Sequence, residues 1–477
     1  MTDAATAPAP VSDRRTDVPF EPGVGAHLEH SAEPQDVRWT FAPFDVAAAW
    51  TKGWVDWTTN AVRRGSTPLG VLADAQRFWS VATERKQPAW STPFRVVREW
   101  PVARLLDFST EPGSDVVPTV FLPPQAGHAS TIVDHAPGQS QVVTALEEGL
   151  TRLFVVDWLG ATTATKDTTV EDYVKVLDET LAQLGGRANL VGDCQGGWLA
   201  TIYAALRPGS VASLTIGAAP IDFHAGAGAI QDWVDSMGSE EDPMLGYRLL
   251  VEANGGVHRG ELQVNGFKMM EPAGELTRLA DLWANVGDPE HVERYRRFVS
   301  WFETPQDMPG AFYLWTVEHL FLNNELVAGT LQVGDETVDL GRITMPVNLL
   351  AGTGDHITPP GQVWALAEHV STPPEDVSSH FVEAGHLGLF MGRRALKEHW
   401  APLFRSVREK TAVAPAQSKP APKPASAPKT SAAKKAPAKK APAKKAPVQT
   451  APTAKTEPAS TPVAKPSTAR KDSPKKA

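Results

Sequence analysis

The stretch NLVGDCQGGWLATIYAAL, residues 189–206, carries Cys194, the only cysteine among 477 residues. Gly192 and Gly196 stand two positions to either side of it, and Gly197 follows. The apolar run ending at Val191 reads as a strand, and the residues after the cysteine read as a helix. G-x-C-x-G between a strand and a helix has the form of a nucleophile elbow, with cysteine in place of serine. The turn is tight enough that only small residues fit two positions before and after the nucleophile. A helix N-terminus there favours a thiolate. The backbone N–H of Gln195 would supply one oxyanion donor. A second is expected from DHAPGQS, residues 134–140, with Ala136, Pro137 and Gly138 as candidates. The competing reading is a small, buried, inert cysteine.

A thiol nucleophile needs a base, and the base needs an orienting acid. TGDHITPP follows the strand-like MPVNLLAG and offers Asp355. HLGLF follows the strand-like SSHFVEAG and offers His386. Each stands just past the C-terminal end of an expected strand, where open parallel sheets place their sites. Either residue alone would more often be structural; the order nucleophile, acid, histidine makes coincidence harder. His356 ranks second as the histidine because it sits beside the acid. Asp193 is given no catalytic role, since adjacent side chains on an elbow diverge. No H-x-x-x-H or C-x-x-C pattern occurs, and the histidines of EHVERY and KEHW stand alone, so no metal site is expected. VNGFKMMEPAG lacks the order of a phosphate-binding loop, and no bound cofactor is expected.

These residues need a scaffold. VVPTVFLPP, STIVDH, RLFVVDW, ANLVGD and SLTIGAAP read as strands. SQVVTALEEG, TVEDYVKVLDETLAQLG and GGWLATIYAALRPG read as helices. Such alternation predicts an α/β architecture with a mostly parallel sheet covered on both faces. The spacing divides the chain into a first core part over 101–223, a helical insertion over 224–324 expected to act as a lid, and a second core part over 325–411. Before the core, residues 37–100 read as a helical arm. Val46, Trp50, Trp54 and Trp57 share one helical face, and Leu69, Leu72, Phe78 and Trp79 repeat the idea. Seven of the fifteen tryptophans fall between Trp39 and Trp100, which makes this arm unusually apolar. It either packs on the core or grips an apolar polymer or lipid-coated body.

Residues 1–36 are poor in large apolar side chains and read as disordered. Residues 412–477 are Ala, Pro and Lys, including AAKKAPAKKAPAKKAP, and read as a disordered basic tail. From residue 411 onward the chain holds 15 Lys and Arg against 2 Asp and Glu, which leaves 31 against 53 in the rest. An acidic body thus carries a tail that is either a solvated spacer or a sequence-blind contact for DNA or another polyanion. One cysteine rules out an internal disulfide and fits a reducing cytoplasm. No secretory leader and no transmembrane run of apolar residues is legible.

GDCQGGWLATIYAAL resembles the lipase-like box of polyhydroxyalkanoate synthases, which carry cysteine where lipases carry serine. EDYVKVLDETLAQLG, VDLGRITMPVNLLAGTGDHITPP and AGHLGLF resemble the family's flanking stretches, so the likeness spans roughly residues 115–405. CQGGW, D-x-ITPP-x-Q and GHLG-x-F together resemble a branch of synthase-like proteins named poly(3-hydroxyalkanoate) synthetases, whose helical arm the region 41–100 also resembles. GHLGLFMGRRALKEHWAPLF is equally similar to the end of intracellular polyhydroxyalkanoate depolymerases. The resemblance implies an α/β-hydrolase fold, with Cys194 as the acylated thiol, Asp355 as the acid and His386 as the base. It implies acyl transfer from hydroxyacyl-coenzyme A thioesters, with coenzyme A entering only as part of the substrate. Two alternatives stay open. One is a depolymerase or thiol esterase with the same triad; the other is a non-catalytic organiser of polyester granules, tethered to DNA by its tail. The expected location is the cytoplasm, with polyester granules as the surface to which the chain would attach.

Overall fold

The computed structural model describes residues 42–412 except 114, 227, 240 and 271. The segment 1–36, the first residues of the expected arm and all but the first residue of the basic tail lie outside the described residues. Eight strands form the main sheet: β1 (Arg95–Trp100), β2 (Ala103–Asp107), β3 (Thr119–Leu122), β4 (Leu153–Trp158), β5 (Ala188–Asp193), β6 (Val211–Gly217), β7 (Val347–Gly352) and β8 (Val377–Val382). Their spatial order is β1-β2-β4-β3-β5-β6-β7-β8. β1 and β2 pair antiparallel, β2 meets β4 antiparallel, and every later pairing is parallel. β3 to β7 are buried along their whole length, as central strands covered on both faces must be. This order and direction, with a sharp strand-to-helix turn after β5, is the α/β-hydrolase fold.

Buried polar side chains fix the register. Asn189 on β5 donates to Thr119 on β3 at 3.3 Å and accepts from Ser213 on β6 at 2.9 Å. Asn348 on β7 donates to Thr215 on β6 at 3.1 Å and accepts from Ser378 on β8 at 2.6 Å. A slip of one residue would turn these groups to the opposite face and orphan them. The C-terminal ends of the parallel strands are thereby held along one edge.

Three regions depart from the sequence reading. RVVREW and ARLLD, at the junction of arm and core, are strands β1 and β2. STIVDH is not a core strand: Ser130–Val133 is a 3-10 turn, and Asp134–Ala136 pairs only with Gln139–Ser140. The buried Asp134 carboxylate explains this, because it accepts hydrogen bonds from Ser91 N, Thr92 N, Thr92 Oγ1 and Ser140 Oγ. The excursion from the sheet continues past residue 324 as far as Val347, because a short helix, Glu325–Ala328, and a small hairpin intervene.

The arm is two helices, Ala42–Arg63 and Pro68–Thr83, with Thr67 capping the second through Gly70 N. They pack on the insertion helix Pro272–Ala284. Gly53 permits the close approach, since a Cβ there would stand 2.7 Å from the Ala280 carbonyl oxygen. Trp57 and Trp283 stack at 5.0 Å, and Phe78 meets Trp283 edge-on at 5.4 Å. Asp74, buried beside them, accepts from Trp57 Nε1 at 3.2 Å and Arg64 at 2.7 Å. Of the four residues expected to form the inner face of the second helix, only Phe78 is buried. Leu69, Leu72 and Trp79 are exposed, because the inward stripe is Asp74, Phe78 and Val81.

Trp283→Ala should cost about 3–5 kcal/mol and release the arm. Limited proteolysis should then cut within 84–93 faster than in the wild type; equal cleavage rates would show that the stack does not hold the arm.

Candidate functional site

Cys194 follows β5 directly and takes φ 49° and ψ −119°, a strained conformation for any residue but glycine. The flanking glycines make the turn possible. A Cβ at Gly196 would overlap the carbonyl oxygen of Leu122 at the end of β3, and one at Gly192 would stand 2.5 Å from Gly196 O. One at Gly197 would stand 2.4 Å from the Ala219 methyl. The helix Gln195–Leu206 starts at once, and Gly197 N and Trp198 N bond back to Cys194 O at 2.9 and 3.3 Å.

Asp355 leaves β7 in a turn joined by backbone bonds to the exit of β8: Thr353 N to Val382 O at 2.9 Å and Gly354 N to Ala384 O at 3.2 Å. Its Oδ1 accepts from Ile357 N and Thr358 N, both at 2.9 Å. Its Oδ2 meets His386 Nδ1 at 2.8 Å, with both residues buried. Phe390, one helical turn on, meets the imidazole edge-on at 5.2 Å and limits its tilt. The other ring nitrogen is left for the Cys194 thiol, which lies near enough to act on the imidazole electrostatically. Burial pulls the His386 pKa down, but the Asp355 carboxylate and Cys194 outweigh it and hold the pKa well above the ordinary value. The three residues predicted from sequence thus meet at one point.

The rival histidine does not join them. His356 lies exposed on the cavity rim, and both oxygens of Asp355 are engaged elsewhere. Another histidine, His128, is one that the sequence reading does not single out. It lines the same cavity, stacks on Trp301 at 4.6 Å and bonds Phe302 O through Nε2 at 3.1 Å. Burial, only partly offset by that bond, pushes its pKa down to about 4.

Gln195 stands where an oxyanion donor is needed, its N–H in the first helical turn without an intrahelical acceptor. The second donor requires a correction. Ala136, Pro137 and Gly138 do not line the cavity around Cys194; Pro137 lines a different one. β3, not the 134–140 hairpin, neighbours β5, so the turn leaving β3 is the one beside the elbow. Pro124, Gln125 and Ala126 line the Cys194 cavity. Gln125 N is spent on Gln195 Oε1 at 2.8 Å, and the Gln125 side chain is held by Tyr173 and Leu159 O. That leaves Ala126 N–H as the candidate donor. The signal in the sequence is PPQAG directly after VFL, but strand adjacency is not legible there.

The cavity encloses about 600 Å³ and is walled largely by apolar side chains, with aromatic ones such as Trp198, Phe223, Phe267, Phe298 and Phe312 among them. The insertion supplies much of this wall, including the π-helical turn Thr316–Leu322. Among the described residues, Arg278 is the only Lys, Arg, Asp or Glu in the lining, and it packs over Phe298 and Phe302. Among the described residues no group of three metal-ligating side chains occurs, and no helix is long and apolar enough to cross a membrane.

Asp193 does not line this cavity and is fully buried. Neither carboxylate oxygen closes a hydrogen bond among the described residues, and neither does the buried Gln141 amide. Burial pushes its pKa up to about 8, against the opposing influence of Gln141 and His386. A carboxyl whose pKa is raised by folding loses stability for the fold as pH climbs from about 4 toward 8. Asp193→Asn, which cannot ionise, should therefore exceed the wild type in stability by at least about 1 kcal/mol at pH 8, with the gap closing toward pH 5. Urea unfolding at both pH values tests this, and a gap that does not depend on pH would refute the buried neutral acid.

Known proteins share parts of this chain. A Haloferax mediterranei protein, poly(3-hydroxyalkanoate) polymerase subunit PhaC, is 28% identical over 316 residues, covering 65% of this chain and 62% of that one. The chain therefore spans slightly less than two thirds of that relative's length. The Haloarcula marismortui protein of the same name is 26% identical, covering 76% of this chain and 75% of that one. The solved monoacylglycerol lipase of Paleococcus ferrophilus superposes with a TM-score of 0.42 at 16% identity, covering 65% of this chain and 99% of the lipase. A family model described as "Protein of unknown function (DUF3141)" matches residues 101–412, strands β2 to β8 with the insertion, and the chain belongs to that family.

Proposed function

We propose that this chain is an acyl-transferring enzyme of the polyhydroxyalkanoate synthase type, acting on hydroxyacyl-coenzyme A thioesters. The observation that carries the reading is the chain of contacts Asp355–His386–Cys194 at the floor of an apolar cavity. The polymerase subunits to which the chain is similar support the same reading.

His386 takes the thiol proton, and the Cys194 sulfur attacks the thioester carbonyl carbon. The carbonyl oxygen gains the negative charge, facing Gln195 N–H and Ala126 N–H. The tetrahedral adduct collapses, its C–S bond to coenzyme A breaks, and the leaving thiolate takes the proton from His386. The acyl group now rests on Cys194. The hydroxyl of an acceptor chain then gives its proton to His386 and attacks the same carbonyl carbon, which returns the cysteine as thiol. Thioester exchange is nearly isoenergetic, so the enzyme's task is positioning and exclusion of water. Aromatic walls contributed by the insertion suit that task. If water replaces the hydroxyl, the same steps give hydrolysis, and a polyester as the acyl donor gives depolymerisation.

The first experiment follows coenzyme A release from 3-hydroxybutyryl-coenzyme A, with the product examined for polymer. Many turnovers with polymer, absent in Cys194→Ala, are expected. Free acid alone would make the chain a hydrolase, and no release would overturn acyl transfer from this thioester. His386→Gln should slow iodoacetamide labelling of Cys194 at neutral pH about tenfold or more. Equal labelling would refute the pairing.

The lysine-rich tail we propose as a salt-sensitive, sequence-blind contact for a polyanion such as DNA, which would hold granules near it. Full-length protein should retard DNA at low salt and a chain ending at residue 411 should not; equal retardation would remove that role.

A further inference from the structure

A second cavity, of about 420 Å³, adjoins the acyl cavity and shares Trp301 with it. Three segments build it. The extended strap after the arm brings Lys86 to Ser91, the 134–140 hairpin brings His135 and Pro137, and the helix Pro289–Phe302 brings one face. On that helix Glu293, Arg296, Arg297, Ser300 and Trp301 recur at the spacing of a single stripe.

The lining is rich in donors and short of acceptors. Lys86, Arg296 and Arg297 face one carboxylate, Glu293, which is shared between Arg297 at 2.9 Å and Arg296 at 3.1 Å. Glu84 stands at the outer edge, 3.7 Å from Arg296. The Nε of Arg296 closes no hydrogen bond among the described residues, and that Glu84 oxygen is its ion-pair partner. Lys86 makes no ion pair among the described residues, although its backbone N–H is fixed to Ser300 Oγ at 3.1 Å. His135 is only 8% exposed, and its ring meets Trp301 edge-on at 6.4 Å. Burial and the Arg297 charge hold its pKa down to about 4, so the ring is neutral and has a single N–H to give. The lining thus carries three cationic side chains, Lys86, Arg296 and Arg297, against the single carboxylate of Glu293, an imbalance that an anionic ligand would offset.

We infer that this second cavity binds the phosphoryl group of a small molecule, held by Lys86, His135, Arg296 and Arg297. A carboxylate has too few oxygens for donors spread over three segments. A phosphate ester or diphosphate has three or more and the charge that guanidinium forks favour. Trp90 and Trp301 supply aromatic walls beside it. The phosphoryl group has two possible sources: the nucleotide end of a coenzyme A thioester whose acyl end enters the adjoining cavity, or an independent phosphorylated effector. The inference does not require that the acyl-transfer reading hold, because binding is measured without turnover.

The test is calorimetric titration of the full-length protein with pyrophosphate and, separately, with adenosine 3′,5′-bisphosphate. Saturable binding is expected, weakened about tenfold or more by Lys86→Glu and by Arg297→Gln, and unchanged in Cys194→Ala. Lys86 is exposed, so its substitution leaves the packing intact; unaltered melting temperatures certify both variants. Tighter binding of the bisphosphate would assign the site to the coenzyme's nucleotide end. Equal binding would assign it to phosphates alone. No saturable binding of either ligand would overturn the inference. So would binding that survives both substitutions, which would then belong to the lysine-rich tail.

Discussion

The carbonyl oxygen of Leu122 occupies the space where residue 196 would carry a side chain. That contact ties the end of β3 to the turn leaving β5, and much of the site depends on it. It forces the chain to reverse within the span from Gly192 to Gly196 and lifts Cys194 into a strained conformation with its thiol clear of the sheet. It also brings the 123–126 turn to the cavity that Cys194 lines. The strain is tolerable because it is held from both sides, by the buried β5 and by a helix buried along its whole length.

The histidine side is built differently. Asp355 and His386 lie at turns rather than within the sheet, yet both are immobilised. Two backbone N–H groups take one carboxylate oxygen, the imidazole takes the other, and backbone bonds link the two turns. A turn so fully bonded positions a side chain as firmly as a strand does. The register ladder through Asn189 and Asn348 serves the same end from within the sheet, because it sets how far each strand projects toward the site.

The insertion and the arm form a further layer. Helix Pro272–Ala284 carries the tryptophan that receives the arm, and it also contributes Arg278 to the cavity lined by Cys194. Helix Pro289–Phe302 walls both cavities through Trp301. The arm is thus connected by packing to the elements that enclose the chemistry. Asp193 is a group near the site whose environment opposes its charge, a buried carboxyl beside Cys194 with no bond closed to it among the described residues. A neutral acid satisfies that environment better than a carboxylate does.

The sequence by itself determined the local features. G-x-C-x-G between a strand and a helix points to a tight turn, and largely apolar runs such as LFVVDW and VNLLAG leave little alternative to central strands. Asp355 and His386 are legible because each follows a strand-like stretch, MPVNLLAG and SSHFVEAG, by a few residues. What the tertiary structure alone decided is which segments become neighbours. β3 lies between β4 and β5, so PPQAG and not DHAPGQS faces the thiol; chain order carries no information about that exchange of places. β1 is illegible because its side chains are largely exposed and its pairing comes from β2, not from a buried face. The inward stripe of Pro68–Thr83 is hidden for a related reason. A short helix rich in apolar residues offers more than one face, and only Trp283, some two hundred residues away, selects Phe78 over Leu72 and Trp79. Local sterics and periodicity are written in the chain, while adjacency is settled by packing between segments that the chain keeps far apart.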